Sequence, residues 1–175
     1  MTGAIAGQTV VLRPTTAAHV PTFLEILQHP EIAKWWGGYD LERVRRELLG
    51  PHCYAIELAG EVVGVIIYRE ENDPDHRHAA LDIALHPDYQ NQGLGCDALR
   101  AMARYLLSRG HHRITIDPPA SNERAIRSCR RAGFRPVGVM RQYERGIDGT
   151  WHDALLMDLL ADDLDPAYAL RRPND

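Results

Sequence analysis

The ten residues HPDYQNQGLG, His86 to Gly95, constrain this chain more than any other stretch. Before them AALDIAL alternates like a strand, and after them CDALRAMARYLL repeats at helical spacing. A strand therefore enters a helix through a polar loop that holds two glycines one residue apart. Gly93 and Gly95 have no Cβ, so a ligand can lie against bare backbone. The start of the helix turns unpaired N–H groups and the positive end of its dipole toward whatever lies in front. The combination is an anion cradle, and phosphate suits it best. Taken alone, the glycines are also compatible with a tight turn of purely steric origin. No GK[ST] follows, which argues against a nucleotide-hydrolysing P-loop. The dinucleotide fingerprint is incomplete, because Ala98 stands at its third glycine and no βαβ start precedes it.

The rest of the chain surrounds this loop with an alternating α/β pattern. TVVLRP (Thr9 to Pro14) reads as a strand, and Thr15 or Thr16 can cap a helix with Val20, Phe23, Leu24 and Leu27 on one face. HPEIAKWWGGYD reads as irregular, and Asp40 then caps a helix with Leu41, Val44 and Leu48 inward. HCYAIELA and EVVGVIIYRE form a hairpin around Ala59-Gly60. Arg77 to Leu85 is the fourth strand, Gly93 to Arg109 a long helix that Gly110 ends, and HRITID the fifth strand. NERAIRSCRRA is a helix that stops at Gly133, and RPVGVMRQY and TWHDALLMDLL are strands joined through GIDG. ADDLDPAYALRRPND reads as a surface tail with frayed last residues.

At 175 residues the expectation is one domain, 1–175, with a core that needs neither disulfide nor metal. Cys53, Cys96 and Cys129 form no CxxC pair and read as free thiols in a reducing cytoplasm. No apolar run is long enough to span a membrane, and MTGAIAGQTV is not a basic-then-apolar leader, so the expected location is cytoplasmic. A net charge of −4 argues against a nucleic-acid surface and tolerates a cationic partner.

QNQGLG fits the Q/R-x-x-G-x-G/A loop of the GCN5-related N-acetyltransferases, and the chain resembles that family. The strand LDIAL, the later SNERAIRSCRRAGF and the strand order fall in the same register, so the likeness covers essentially the whole sequence. The resemblance implies a single-domain α/β fold. Its central sheet is mixed and mostly antiparallel, its fourth and fifth strands are parallel and splayed, and helices flank it. It implies acetyl-coenzyme A as cosubstrate and no metal. Residues Ile83, Ala84 and Leu85 would meet the pantetheine arm. Gln90, Asn91, Gln92, Gly93, Leu94, Gly95 and Cys96 would hold the pyrophosphate. Asn122 would contact the coenzyme near its pantetheine.

Two carboxylates come from the alternation itself. Leu81, Ile83 and Leu85 share one face of their strand, which leaves Asp82 on the other between Ala80 and Ala84. In RITID, Thr115 and Asp117 face together, and Asp117 ends the strand before Pro118. On neighbouring strands both can face one cleft, where a carboxylate can bind an ammonium and take its proton. Each alone is equally compatible with a solvated residue or a loop cap. Many relatives have a tyrosine after the SN to protonate the leaving thiolate, and here Cys129 stands at that position. It is retained as a candidate acid, although it shares an apolar helix face with Ala125 and Ile126, which favours packing.

WWGG (Trp35 to Gly38) falls where the family builds its acceptor site, so Trp35 and Trp36 are candidate substrate contacts. Glu70, Glu71, Asp73 and Asp75 add acidic charge expected near that side, although a run such as EENDPD is equally a solvated loop. His152 is a further candidate acid or base, for which an exposed strand residue is the favoured reading. WWGG, the LD before the loop, IDPPASNERAIR and TWHDALLMDLL look like the aminoglycoside 6′-N-acetyltransferases. In those enzymes, aspartates at the Asp82 and Asp117 positions engage the polycationic sugar and the reacting amine. The implied acceptor is a small polycationic amine, not a nucleic acid or a membrane. The alternatives are a protein N-terminal acetyltransferase of the ribosomal-protein type and a non-catalytic acyl-coenzyme A sensor. A homodimer is compatible with the family, but no exposed apolar stripe demands one.

Overall fold

The computed structural model describes residues 3–164. Eight strands form one sheet: β1 (Ile5–Ala6), β2 (Val11–Pro14), β3 (Cys53–Leu58), β4 (Glu61–Glu71), β5 (His78–Leu85), β6 (Arg113–Ile116), β7 (Arg135–Arg145) and β8 (Trp151–Leu160). Their order is β1-β2-β3-β4-β5-β6-β8-β7. Only β5 and β6 pair in parallel, as Ala79–Ile114, Ala80–Thr115 and Leu81–Ile116. A parallel pair needs a crossover, and the long helix α4 (Leu94–Ser108) supplies it.

Helices cover both faces. On one, α4 and α5 (Glu123–Ala132) pack Leu99, Met102, Leu106 and Cys129 against Leu12, Tyr54, Ile56, Leu81 and Ile114. On the other, α1 (Val20–Gln28), α2 (Pro30–Trp36) and α3 (Leu41–Leu48) bring Phe23, Leu27, Ile32, Val44 and Leu48 onto Ala55, Val65, Ile67 and Ala84. With both faces covered, β3 and β4 read as continuous apolar runs, and successive residues such as Tyr54 and Ala55 enter opposite cores. The hairpin expected at Ala59-Gly60 is present, with positive φ at both residues (50° and 89°).

The parallel pair opens after three residues, and the chain beyond β6 shows why. Pro118 and Pro119 have no N–H to offer β5. That segment instead follows β8: Leu155 N donates to Pro118 O, and Ala120 N donates to Asp153 O. β5 continues alone on that side from Asp82 to Leu85, which leaves a backbone edge facing the gap.

The structure departs from the sequence expectations in four places. HPEIAKWW is not irregular: Pro30 enters the first turn, His29 Nδ1 accepts from Glu31 N, and Gly37 at φ 71° ends the helix. Those end signals are strong enough to form α2 without a long apolar repeat. Leu41 is 42 % exposed because it begins α3, before that helix reaches the core, while Val44 and Leu48 are fully buried. A short strand, β1, pairs with β2 ahead of the expected first strand. Ala161–Leu164 forms a helix, α6, at the start of the expected tail, and the remainder of that tail lies outside the described residues. Among the described residues no helix is long and apolar enough to cross a membrane.

Candidate active site

The gap between β5 and β6 widens into a cleft of about 750 Å³. One half is built from the glycine loop. Gly93 takes φ 82° and begins α4 with no side chain capping the helix end. The first return bond is Asp97 N to Gly93 O, so the N–H groups of Leu94, Gly95 and Cys96 have no carbonyl within the helix. Asp97, in the same first turn, is drawn away from this opening. It accepts the backbone N–H groups of Gln8 (2.8 Å), Thr9 (2.7 Å) and Val10 (3.0 Å). Burial acts to raise its pKa, but those three bonds outweigh it and hold the carboxyl below its ordinary value. The helix end is therefore left free for an external anion.

The amides of the loop brace it. Gln90 Nε2 donates to Leu85 O at 2.9 Å, and Gln92 Nε2 donates to Asp88 O at 2.8 Å. Gln90 Oε1 is buried without a partner. A Cβ on Gly95 would stand 3.2 Å from Leu85 Cδ1 and 3.4 Å from Ser128 Oγ, so the second glycine also brings α4 close to α5. Leu94 lies in the core and offers only its backbone here. Arg124, Arg127 and Arg131 also line the cleft. Their i, i+3, i+7 spacing along α5 puts them on one stripe, a signal already present in NERAIRSCRRA. Free helix N–H groups, an orphaned amide oxygen, an open strand edge and three guanidiniums fit a phosphorylated coenzyme with an extended arm.

The other half holds Asp82 and Asp117, brought into one cleft from the two splayed strands. Arg69 of β4 reaches Asp82, with Nη1 2.6 Å from Oδ2. Although 31 % of the Asp82 side chain meets solvent, protein crowds its carboxylate. Desolvation raises its pKa, Arg69 opposes the rise, and the charge of Asp117 adds to it. Tyr143 of β7 is hydrogen-bonded to Asp117, and that bond together with burial pushes the phenol up to about 12. Its proton therefore stays on the phenol, which donates to the carboxylate. Beside it Glu144 is raised by burial first, then by Asp117 and Asp82. Neither Arg69 nor the Tyr143–Glu144 pair was among the sequence candidates. They arrive through sheet order, which no local spacing encodes.

The remaining candidates divide. Trp35 and Trp36 both line the cleft. Trp36 packs on the core beside Tyr39, whereas the Trp35 Nε1–H is buried without a partner. Asn122 caps α5 by accepting Ala125 N at 3.1 Å and also lines the cleft. Cys129 is 2 % exposed, and burial pushes its thiol up to about 12. That is far above an ordinary thiol at roughly 8.5, which makes it a poor acid toward a leaving thiolate. His152 lies outside the cleft lining and bonds Asp148 and Thr150 in the β7–β8 turn. The acidic run also lies elsewhere: Glu71, Asp73 and Asp75 surround a separate depression with His76, His78 and His112. Glu70 is held by His111 at 2.9 Å. The tip of the β7–β8 hairpin reaches the WWGG segment. A Cβ on Gly37 would stand 3.7 Å from Ile147 Cγ2. Among the described residues no group of three or more His, Cys, Asp or Glu is arranged to hold a metal ion.

A family model described as an acetyltransferase (GNAT) domain matches residues 9–135. The chain is 37 % identical over 79 residues to the [ribosomal protein bS18]-alanine N-acetyltransferase of Escherichia coli K12, covering 45 % of this chain and 53 % of that protein. The match thus spans about half the length of the curated relatives. Among solved structures, AAC(6′)-Ib in complex with paromomycin and acetyl-coenzyme A superposes with a TM-score of 0.72 at 25 % identity, over 96 % of this chain and 100 % of that one. Mycobacterium smegmatis RimJ, in complex with CoA-disulfide, superposes with a TM-score of 0.78 at 22 % identity, over 93 % and 88 %. The latter likeness concerns the fold alone.

Proposed function

Since this chain belongs to the GNAT acetyltransferase family, we propose that it transfers an acetyl group from acetyl-coenzyme A to a primary amine of a small polycation, with the 6′-amine of an aminoglycoside as the acceptor. The observation that carries this reading is the carboxylate cluster. Asp82, Asp117 and Glu144 line the cleft together, where burial first and then repulsion from neighbouring carboxylates push the carboxyls of Asp82 and Glu144 up. Ammonium groups relieve both at once.

In this account the start of α4 and the arginines of α5 bind the phosphates, and the open edge of β5 takes the extended arm. Acetyl-coenzyme A supplies the acyl group, activated as a thioester. Backbone N–H groups of β5 meet the negative charge that develops on the acyl oxygen. Asp82 binds the ammonium form of the acceptor, and Asp117 takes the proton that must leave before the nitrogen can attack. A C–N bond forms as the C–S bond breaks, and the second proton that the nitrogen sheds on becoming an amide passes to solvent. The thiolate takes its proton from solvent, because the Cys129 thiol holds its own too firmly.

The second reading is a protein N-terminal acetyltransferase, favoured by the similarity to the bS18-alanine enzyme. The approach of Ile147 to Gly37 weighs against it, since it brings the tip of the β7–β8 hairpin against the WWGG segment beside the cleft, where a peptide acceptor needs an open groove. Calorimetric titration of the coenzyme A-bound protein separates the two. Kanamycin is expected to bind, and Asp82→Asn to weaken it at least about tenfold, as loss of a charge-assisted contact requires. A peptide beginning with alanine that binds more tightly than kanamycin overturns the small-molecule reading.

A further inference from the structure

An ionised carboxylate crowded by protein needs a counter-ion, and Asp82 has one before any substrate arrives. Arg69 Nη1 stands 2.6 Å from its Oδ2. The pair follows from strand register. Asp82 lies opposite Ile67 and Arg69 opposite Ala80, so the two side chains share the face that carries α1–α3 and sit on the diagonal. They differ sharply in exposure: Arg69 keeps 70 % of its side chain in solvent, against 31 % for Asp82. The arginine is thus a flexible arm laid across the cleft wall onto an enclosed charge. Such a half-exposed pair is weak, and leaving it costs little. Other groups also surround Asp82. Asp117 comes from the end of β6, Tyr143 and Glu144 come from β7, and Tyr39 comes from the segment between α2 and α3. None of these is a cation.

We propose that Arg69 is a displaceable counter-cation for Asp82, a positioning residue that keeps this carboxylate charged in the free protein and yields it to the ammonium of the acceptor. The inference deepens the polycation reading and rests on it, since an acceptor without a positive charge has nothing to exchange for the guanidinium. Two effects follow with opposite signs. Arg69 lowers the pKa of Asp82, so its removal raises that pKa and moves the loss of the charged form to higher pH. Arg69 also competes with the acceptor, so once Asp82 is ionised its removal tightens acceptor binding.

The test compares wild type with Arg69→Gln and Arg69→Lys. In the glutamine variant the acidic limb of kcat/KM moves up by about half a pH unit, the shift that a threefold change in the strength of the pair corresponds to. Above that limb KM for kanamycin falls about threefold, the scale of an exposed ion pair, with kcat unchanged. The lysine variant returns both toward wild type. A limb that does not move, or one that moves equally in the lysine variant, overturns the proposal. Two further readings need no turnover: carbon-13 titration of the Asp82 carboxyl in the coenzyme-bound protein, and calorimetry with kanamycin. A carboxyl that titrates higher in the glutamine variant while kanamycin does not bind upholds the counter-ion and rejects the polycation reading. An unchanged titration rejects the counter-ion itself.

Discussion

Replacing Asp117 with asparagine is expected to lower kcat/KM for kanamycin by about 10²- to 10⁴-fold, the range for loss of a positioned general base. Binding of acetyl-coenzyme A is expected to stay within twofold or so of wild type, since the change is isosteric and leaves the coenzyme half untouched. The asparagine oxygen can still accept the phenol of Tyr143, so the wall of the cleft should hold its shape. What is lost is the capacity to carry a proton away from the attacking nitrogen. Steady-state kinetics beside a coenzyme titration checks both parts. Turnover near the wild-type value removes Asp117 from the chemistry and leaves it as a cap on the loop before Pro118.

A valine at Gly64 is expected to be the most damaging change near the cleft that touches no substrate. The register of β3 with β4 shifts at Ile56 and Glu57, which face Gly64 and Val62 and leave Val63 as an extra residue. At such a bulge two successive residues lean the same way, and Val63 already occupies the core there. A Cβ on Gly64 would come within 2.4 Å of Ala84 O and 2.7 Å of Leu85 Cδ2. The oxygen it strikes lies on the edge of β5 that pairs with β4, so the clash displaces the same strand segment whose opposite, open edge we assign to the coenzyme arm. Overpacking costs about 1–3 kcal/mol, and a clash with backbone puts this site at the upper end, so chemical denaturation should show a drop of about 3 kcal/mol and coenzyme binding should weaken with it. Gly138→Ala is the control, because nothing lies within 4 Å of its Cβ position, and it is expected to change stability by no more than about 0.5 kcal/mol. A Gly64→Val protein as stable as this control contradicts the packing argument.

Much of this architecture is legible in the linear sequence because it rests on local pattern. The Gly93–Gly95 loop, the alternation that turns Asp82 away from Leu81 and Ile83, and the hairpin at Ala59-Gly60 are each set by neighbours within a few residues. The α2 helix was missed because its signals sit at its ends, in Pro30 and Gly37, and its apolar face is too short to show a period. The acceptor half was legible only in its two aspartates. Arg69 reaches Asp82 through strand register, and Tyr143 reaches Asp117 because β8 intervenes between β6 and β7 in the sheet. His152 is a different case, since its partners Asp148 and Thr150 lie in its own hairpin turn and hold it outside the cleft lining. Acidic composition was a poor guide to location. Glu71, Asp73 and Asp75 gather at a separate depression, and the charge that matters at the cleft comes from single residues on β4, β5 and β7 and from Asp117 just past β6.

The central claim is that this cleft joins an acetyl group to an ammonium-bearing small molecule. Release of free thiol from acetyl-coenzyme A tests it most directly, measured in parallel with kanamycin, a polyamine and a peptide beginning with alanine. The account predicts release that depends on the amine, is greatest with kanamycin, and leaves a product acetylated at the 6′ nitrogen. Greatest release with the peptide would assign the cleft to protein N-termini, and tight coenzyme binding without release from any acceptor would contradict the account altogether.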